Sequence, residues 1–267
     1  MSSTAHTSQN TSRRAPQASA QSGSQRGSQS SGRRAAPPRR RPFLSNFTLK
    51  VIMAVTGLIF AAFVLVHMIG NLKVYQGAEH FNAYAVWLRT LLEPLFPYEG
   101  VLWALRIVLI VCLVGHVGGA AMLVARARRA RGPFRRRRLP MRSFLARTMP
   151  VTGVVLLLFV IFHLLDLTTG TRPAASASFE HGTVDTSHAY ENLIASFQRP
   201  EVALFYILAM VVLGMHLAHG LWTATHDLGA TSHRLRAIAV AVSGILAIAI
   251  MLGNISIPVA VLLGVVQ

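Results

Sequence analysis

Five long apolar segments constrain the fold of this chain more than any other feature. They lie at about 47–71, 101–125, 148–169, 201–225 and 237–263. Each is long enough to cross a hydrocarbon layer of ~30 Å as a helix that rises ~1.5 Å per residue. Inside lipid, a helix satisfies its own backbone polar groups. The sequence therefore predicts an all-α membrane protein with five transmembrane helices in a bundle.

The charge of the chain is strongly basic but unevenly placed. The 267 residues are 52% hydrophobic, with a net charge of +17 and only nine acidic residues. The arginines concentrate in residues 1–42 and 126–147, which flank apolar segments, so we expect no nucleic-acid partner and a lipid bilayer instead. Cys112 is the single cysteine, which excludes a disulfide framework and a thiolate metal site.

Residues 1–42 differ from the rest of the chain. They hold ten Ser, five Gln and eight Arg, and no acidic residue. Such a segment buries too little apolar surface to offset its ordering entropy, so we predict a disordered cytoplasmic tail. Its arginines at 33–41 are expected to face anionic lipid headgroups. Residues 43–267 form the predicted membrane domain.

The basic residues also predict the orientation. The tail and the loop 126–147 carry eight and ten Arg, whereas the loops 72–100 and 170–201 carry two basic residues each and more acids than bases. The positive-inside rule places the N-terminus in the cytoplasm and the C-terminus outside. We call the end of the bundle with the loops 72–100 and 170–201 the outer end, and the opposite one the inner end.

The two outer loops are expected to differ. Between Gly77 and Pro94, apolar side chains recur at helical spacing, which predicts a short amphipathic helix at the outer interface. The second loop, from Arg172 to Arg199, is longer and predicted to be irregular.

A sequence pattern recurs 96 residues apart within the first and third spans. Its members are Thr56-Gly57, Phe63-Val64 and His67, and then Thr152-Gly153, Phe159-Val160 and His163 at the same spacing. The second and fourth spans carry His116 and His216. We interpret the four spans as two copies of a helix pair, related by an axis along the membrane normal.

The predicted topology gives each histidine a depth. His67 and His163 lie near the outer ends of their spans, and His116 and His216 share a deeper level, roughly 10–15 Å away at the rise of a helix. Ionisable side chains at such depths are costly and rare without a function. Neutral imidazole is a good iron ligand, so we predict two haems, each between one pair of histidines. Zinc is less suitable, because it favours four ligands at one level, often thiolates.

His219 is an alternative to His216. It follows three residues later and could replace it as a ligand or bond a haem propionate. We favour His216, because its depth matches that of His116 better.

Four stretches carry a resemblance to a known family. They are His-Met-Ile-Gly-Asn-Leu-Lys at 67–73, Phe-Asn-Ala-Tyr-Ala at 81–85, His-Leu-Leu-Asp-Leu-Thr-Thr-Gly at 163–170 and His-Leu-Ala-His-Gly-Leu-Trp at 216–222. Residues 43–265 resemble the cytochrome b membrane subunit of succinate dehydrogenase/fumarate reductase (respiratory complex II), in the form where one five-helix polypeptide carries two haems.

The resemblance implies cofactors and partners. His67 with His163, and His116 with His216, would be the axial ligands of two b haems. A flavoprotein subunit and an iron–sulfur subunit would dock on the cytoplasmic face of the cell membrane. Electrons from succinate would pass through them and the haems to an exchangeable quinone, expected to be menaquinone. This chain itself would do no dicarboxylate chemistry and would have no catalytic residue.

The family also implies an acidic residue near the outer haem that handles quinone protons. No motif places it here, and the candidates near the outer end are Glu79, Glu93 and Asp166. Arg106, on the second span, is expected to pair with Asp166, to hold a propionate or to reach the interface.

Two other readings of the same residues remain. One is the di-haem cytochrome b of another respiratory complex, such as a hydrogenase, formate dehydrogenase or nitrate reductase. The other is a transporter with a histidine relay, which usually also shows intramembrane carboxylates or broken helices. Only Asp166 is an acid clearly within a predicted span, which disfavours the transporter.

Overall fold

A computed structural model describes residues 44–132, 141–229 and 232–267, with the backbone alone for 141–146. These ranges are mostly helical, with irregular connections at 90–99 and 168–188. The helices are α1 Asn46–Asn71, α2 Ala78–Arg89, α3 Gly100–Arg131, α4 Met141–Leu167, α5 Ala189–Phe197, α6 Pro200–Asp227 and α7 His233–Leu262, with a 3₁₀ turn at Leu72–Gln76. The predicted all-α fold class is confirmed. The predicted tail 1–42 lies outside the described residues.

Five of the described helices are long and apolar enough to cross a membrane. The spans are Asn46–Gln76, Gly100–Arg131, Arg147–Leu167, Pro200–Asp227 and His233–Leu262. They coincide with the five segments predicted from the sequence. Large apolar side chains such as Val66, Val114, Leu158 and Ile245 are exposed on their outer surfaces, as expected of helices in lipid.

Helix α6 is the hub of the bundle. It packs most extensively on α7 and also lies against α1 and α4, while α1 packs on α3. Helices α3 and α4 touch only slightly. The four histidine-bearing helices therefore form a square in the order α3, α1, α6, α4, with α7 outside it. Gly214 allows the close approach of α6 and α7, since a Cβ there would lie 3.0 Å from the Met251 sulfur.

Polar contacts tie the helices together at the inner end. The Lys50 ammonium lies 2.9 Å from the Asp227 carboxylate, which joins the start of α1 to the end of α6. The Arg126 guanidinium donates to the Asn46 side chain at 2.7 Å, which joins α3 to the same end of α1. The Ser45 hydroxyl caps α1 by accepting from the Thr48 amide at 3.0 Å.

The outer end is closed by two short helices, of which the sequence predicted one. Helix α2 is the predicted amphipathic helix. The second outer loop was predicted to be irregular, and this is wrong for its last third, where α5 forms. Its apolar side chains follow helical spacing and are buried; they are Tyr190, Leu193, Ile194 and Phe197. Asn82 of α2 holds α5 in place, because its amide donates to Glu191 at 2.9 Å.

Candidate functional site

The outer pair of histidines comes from α1 and α4. The rings of His67 and His163 lie with centroids 5.9 Å apart and planes inclined at 81°. Each lies four residues before the end of its α-helix. The structure therefore brings together the two histidines that the sequence had placed at one depth.

The inner pair comes from α3 and α6. The ring centroids of His116 and His216 are 6.5 Å apart and the planes are inclined at 59°. His219 is not the residue that faces His116. Its ring lies instead 5.9 Å from that of Trp222 on its own helix.

Both pairs span the diagonals of the four-helix square. Neither α1 with α4 nor α3 with α6 forms a packed backbone interface, although their histidine rings meet in the interior. Facing side chains in the core of a bundle are the usual way in which helices build a cofactor site.

The ring separations suit a single metal ion between each pair. Two imidazoles with metal–nitrogen bonds of about 2.0–2.1 Å, and about 1.1 Å from each nitrogen to its ring centre, place the ring centres about 6.3 Å apart. The observed centroid separations are 5.9 and 6.5 Å. The chemistry of the donors also fits an iron centre that takes two neutral imidazoles.

The threonines of the repeated pattern contact the inner pair of histidines. The Thr56 hydroxyl lies 3.0 Å from Nδ1 of His116, and the Thr152 hydroxyl lies 3.0 Å from Nδ1 of His216. The threonine in each copy is eleven residues before the outer histidine of its own helix. Eleven residues are about three helical turns. The threonine and the outer histidine of each helix therefore both face the interior, about 16 Å apart along the helix axis. This spacing along the helix is slightly larger than the 10–15 Å expected between the two levels.

The glycines of the pattern lie against the inner histidine rings, and its phenylalanines lie against the outer ones. A Cβ at Gly57 would lie 3.4 Å from the His116 ring, and one at Gly153 would lie 3.7 Å from the His216 ring. On the outer level, the Phe63 ring stacks on His67 and the Phe159 ring stacks on His163, one turn along each helix. Their centroid separations are 5.4 Å and 5.8 Å. Each copy of the repeat therefore contacts one ring of each pair.

A buried polar network adjoins the outer pair. The Tyr206 hydroxyl lies 3.4 Å from Nδ1 of His163 and donates to Asp166 at 2.9 Å. The Asp166 carboxylate also accepts from the Ser196 hydroxyl at 2.5 Å and from the Arg199 guanidinium at 2.7 Å. Its side chain is fully buried. A buried carboxylate of this kind requires such partners, and here they come from the junction of α5 and α6.

One of the three roles considered for Arg106, an ion pair with Asp166, is wrong. Arg106 instead lies 3.2 Å from Glu99, at the start of its own helix α3, and its guanidinium lies 4.8 Å from the Trp103 ring. Arg199, which does pair with Asp166, was not considered from the sequence. The other two acid candidates, Glu79 and Glu93, are exposed at the outer end.

The fold and these contacts define a class of protein: a five-span helical membrane protein with two pairs of facing histidines at two depths. Within the described ranges, no group of three or more His, Cys, Asp or Glu side chains could hold a metal ion, so the histidines meet as pairs and not as larger clusters.

The chain is a distant homologue of the succinate dehydrogenase cytochrome b558 subunit of Bacillus subtilis (strain 168). The two are 25% identical over 170 residues, which is 63% of this chain and 73% of that protein. The resemblance recognised in the sequence is thereby confirmed. No family model matches the chain, and no solved structure matches it significantly.

Proposed function

We propose that this chain is the membrane anchor and electron-transfer subunit of a succinate:quinone oxidoreductase, with two b haems. The homology to a subunit of succinate dehydrogenase supports the assignment to complex II. The observation that carries the haem proposal is that two histidine pairs cross the diagonals of one helical square. Their centroid separations, 5.9 and 6.5 Å, fit one metal ion between the rings of each pair.

The four histidines divide into two pairs of ligands. His67 and His163 are the axial ligands of the outer haem, and His116 and His216 those of the inner haem. A bound haem supplies a one-electron redox centre whose properties depend on its axial ligands and their hydrogen bonds. The phenylalanines stacked on the outer rings help to fix the orientation of these rings.

The partners follow from the orientation. With the N-terminus in the cytoplasm and the C-terminus outside, the inner end meets a flavoprotein subunit and an iron–sulfur subunit on the cytoplasmic face of the cell membrane. Quinone, expected to be menaquinone, exchanges electrons near the outer pair. The domain 43–267 carries this function, and this chain has no dicarboxylate chemistry of its own.

The quinone-site acid is proposed among the exposed carboxylates. Glu79 and Glu93 are accessible at the outer end. Asp166 is the weaker candidate, because its carboxylate is buried and already accepts three hydrogen bonds from neighbouring side chains.

The test is haem content in variants of the full chain in membranes. His67→Ala or His163→Ala should remove one haem, and His116→Ala or His216→Ala the other, because an imidazole contributes half of the axial ligation. His226→Ala is the matched control, since it is an exposed histidine on α6, and it should keep both haems. Reduced-minus-oxidised spectra and a pyridine haemochrome assay measure the result. If the unchanged chain contributes no haem absorption in membranes, the haem proposal is wrong.

Co-purification separates complex II from the other di-haem cytochromes. A partner with covalently bound flavin, visible by its fluorescence on a gel, is expected. A molybdenum or nickel subunit in its place would assign the chain to a formate dehydrogenase, nitrate reductase or hydrogenase.

A further inference from the structure

Two threonine hydroxyls contact the inner histidines in the same way in both halves of the repeat. Thr56 of α1 reaches across to His116 of α3, and Thr152 of α4 reaches across to His216 of α6, both at 3.0 Å from Nδ1. The contact occurs twice, on different helix pairs, which makes a chance packing arrangement a poor explanation.

The other contacts of the two hydroxyl groups indicate the direction of these bonds. Thr56 donates to the carbonyl of Ile52 at 2.7 Å, and Thr152 donates to the carbonyl of Met149 at 3.0 Å. A hydroxyl has one hydrogen to donate, so in both contacts its oxygen is left to accept. Each inner histidine therefore donates its Nδ1–H to a threonine oxygen, which leaves the lone pair on Nε2.

We infer that Thr56 and Thr152 are positioning residues that fix the tautomer and ring orientation of His116 and His216, so that Nε2 of each ring serves as the ligand of the inner metal centre. This inference rests on the proposed function. Outer partners of this kind orient metal-bound imidazoles and raise their basicity. They also explain why each copy of the repeat holds a polar residue three turns below its outer histidine, within an apolar span.

The test compares valine and serine at the two positions. Thr56→Val and Thr152→Val keep the shape of the side chain and remove the acceptor, whereas Thr56→Ser and Thr152→Ser keep the hydroxyl. Thr223→Val is the matched control, because Thr223 makes the same kind of bond to its own helix, at 2.8 Å from the carbonyl of His219. The readouts are redox titration of both haems in membranes and the rate at which each haem transfers to excess apomyoglobin.

The valine variants should weaken retention of the inner haem by about 10- to 100-fold, the usual effect of removing an outer partner of a metal ligand. The midpoint potential of that haem should rise, because a less basic imidazole stabilises the oxidised iron less. In the valine variants, the outer haem should keep its midpoint potential and retention. In the serine variants and in Thr223→Val, both haems should keep the values of the unchanged protein.

Two kinds of failure are distinguishable. If His116→Ala removes a haem but both valine variants keep the potential and retention of the unchanged protein, this inference alone is overturned. The same conclusion holds if the serine variants lose the inner haem as readily as the valine variants. If His116→Ala leaves the haem content unchanged, the proposed function fails, and this inference fails with it.

Discussion

Replacing Arg199 with glutamine should destabilise the bundle strongly. The substitution removes the charged partner at 2.7 Å from a carboxylate whose side chain is fully buried, while the hydroxyls of Ser196 and Tyr206 remain. Breaking a buried ion pair on one side costs about 3–5 kcal/mol. The Arg199 side chain is 25% exposed, so we expect the lower end, about 3 kcal/mol. That is about two orders of magnitude in the folding equilibrium.

The assay is equilibrium unfolding by SDS in mixed micelles, followed by circular dichroism. Asp166→Asn should suppress much of the effect. The double variant should be more stable than Arg199→Gln alone by about 1 kcal/mol or more, because no uncompensated charge is left. Arg172→Gln is the matched control, since that arginine donates to a backbone carbonyl in the same loop and is exposed. It should change stability by about 0.5 kcal/mol or less. Equal effects of the two arginine substitutions, or strict additivity of Asp166→Asn and Arg199→Gln, would refute the reasoning.

Two further outcomes are expected. Under the proposed function, Gly57→Leu or Gly153→Leu should remove the inner haem and spare the outer one in difference spectra, because a Cβ alone already lies 3.4 or 3.7 Å from an inner histidine ring. Loss of both haems, or of neither, would contradict this. For the orientation, a cysteine at Ser176 should react with an impermeant maleimide added outside the cell, and one at Ser232 should not. Both are placed in a Cys112→Ser background, and the reverse labelling pattern would invert the topology.

The helical spans were predictable because length and apolarity alone determine what can cross lipid. Helix α5 was missed because its loop is rich in polar residues. The signal was present nonetheless, since Tyr190, Leu193, Ile194 and Phe197 recur at helical spacing. A short amphipathic segment produces a weak pattern, and here its apolar face is used to cover the outer end of the bundle.

The histidine pairs were predictable from depth, but their neighbours were not. Whether Thr56 meets His116 depends on how α1 and α3 are rotated against each other, which the sequence of neither helix reveals. The signal available was the threonine repeated three turns from each outer histidine. The partner of Asp166 was missed for a related reason. Depth suggested Arg106, whereas the fold of the loop before α6 places Arg199 beside Asp166, although the two residues are 33 positions apart in the chain.

The diagonal arrangement has a consequence for stoichiometry. Helices α1 and α3 together bring one imidazole to each depth, and α4 with α6 bring the equivalent imidazole from the other half. Either half alone therefore offers two incomplete sites and no complete one. Loss of either half would remove an imidazole from both depths, whereas replacement of one histidine changes one depth alone.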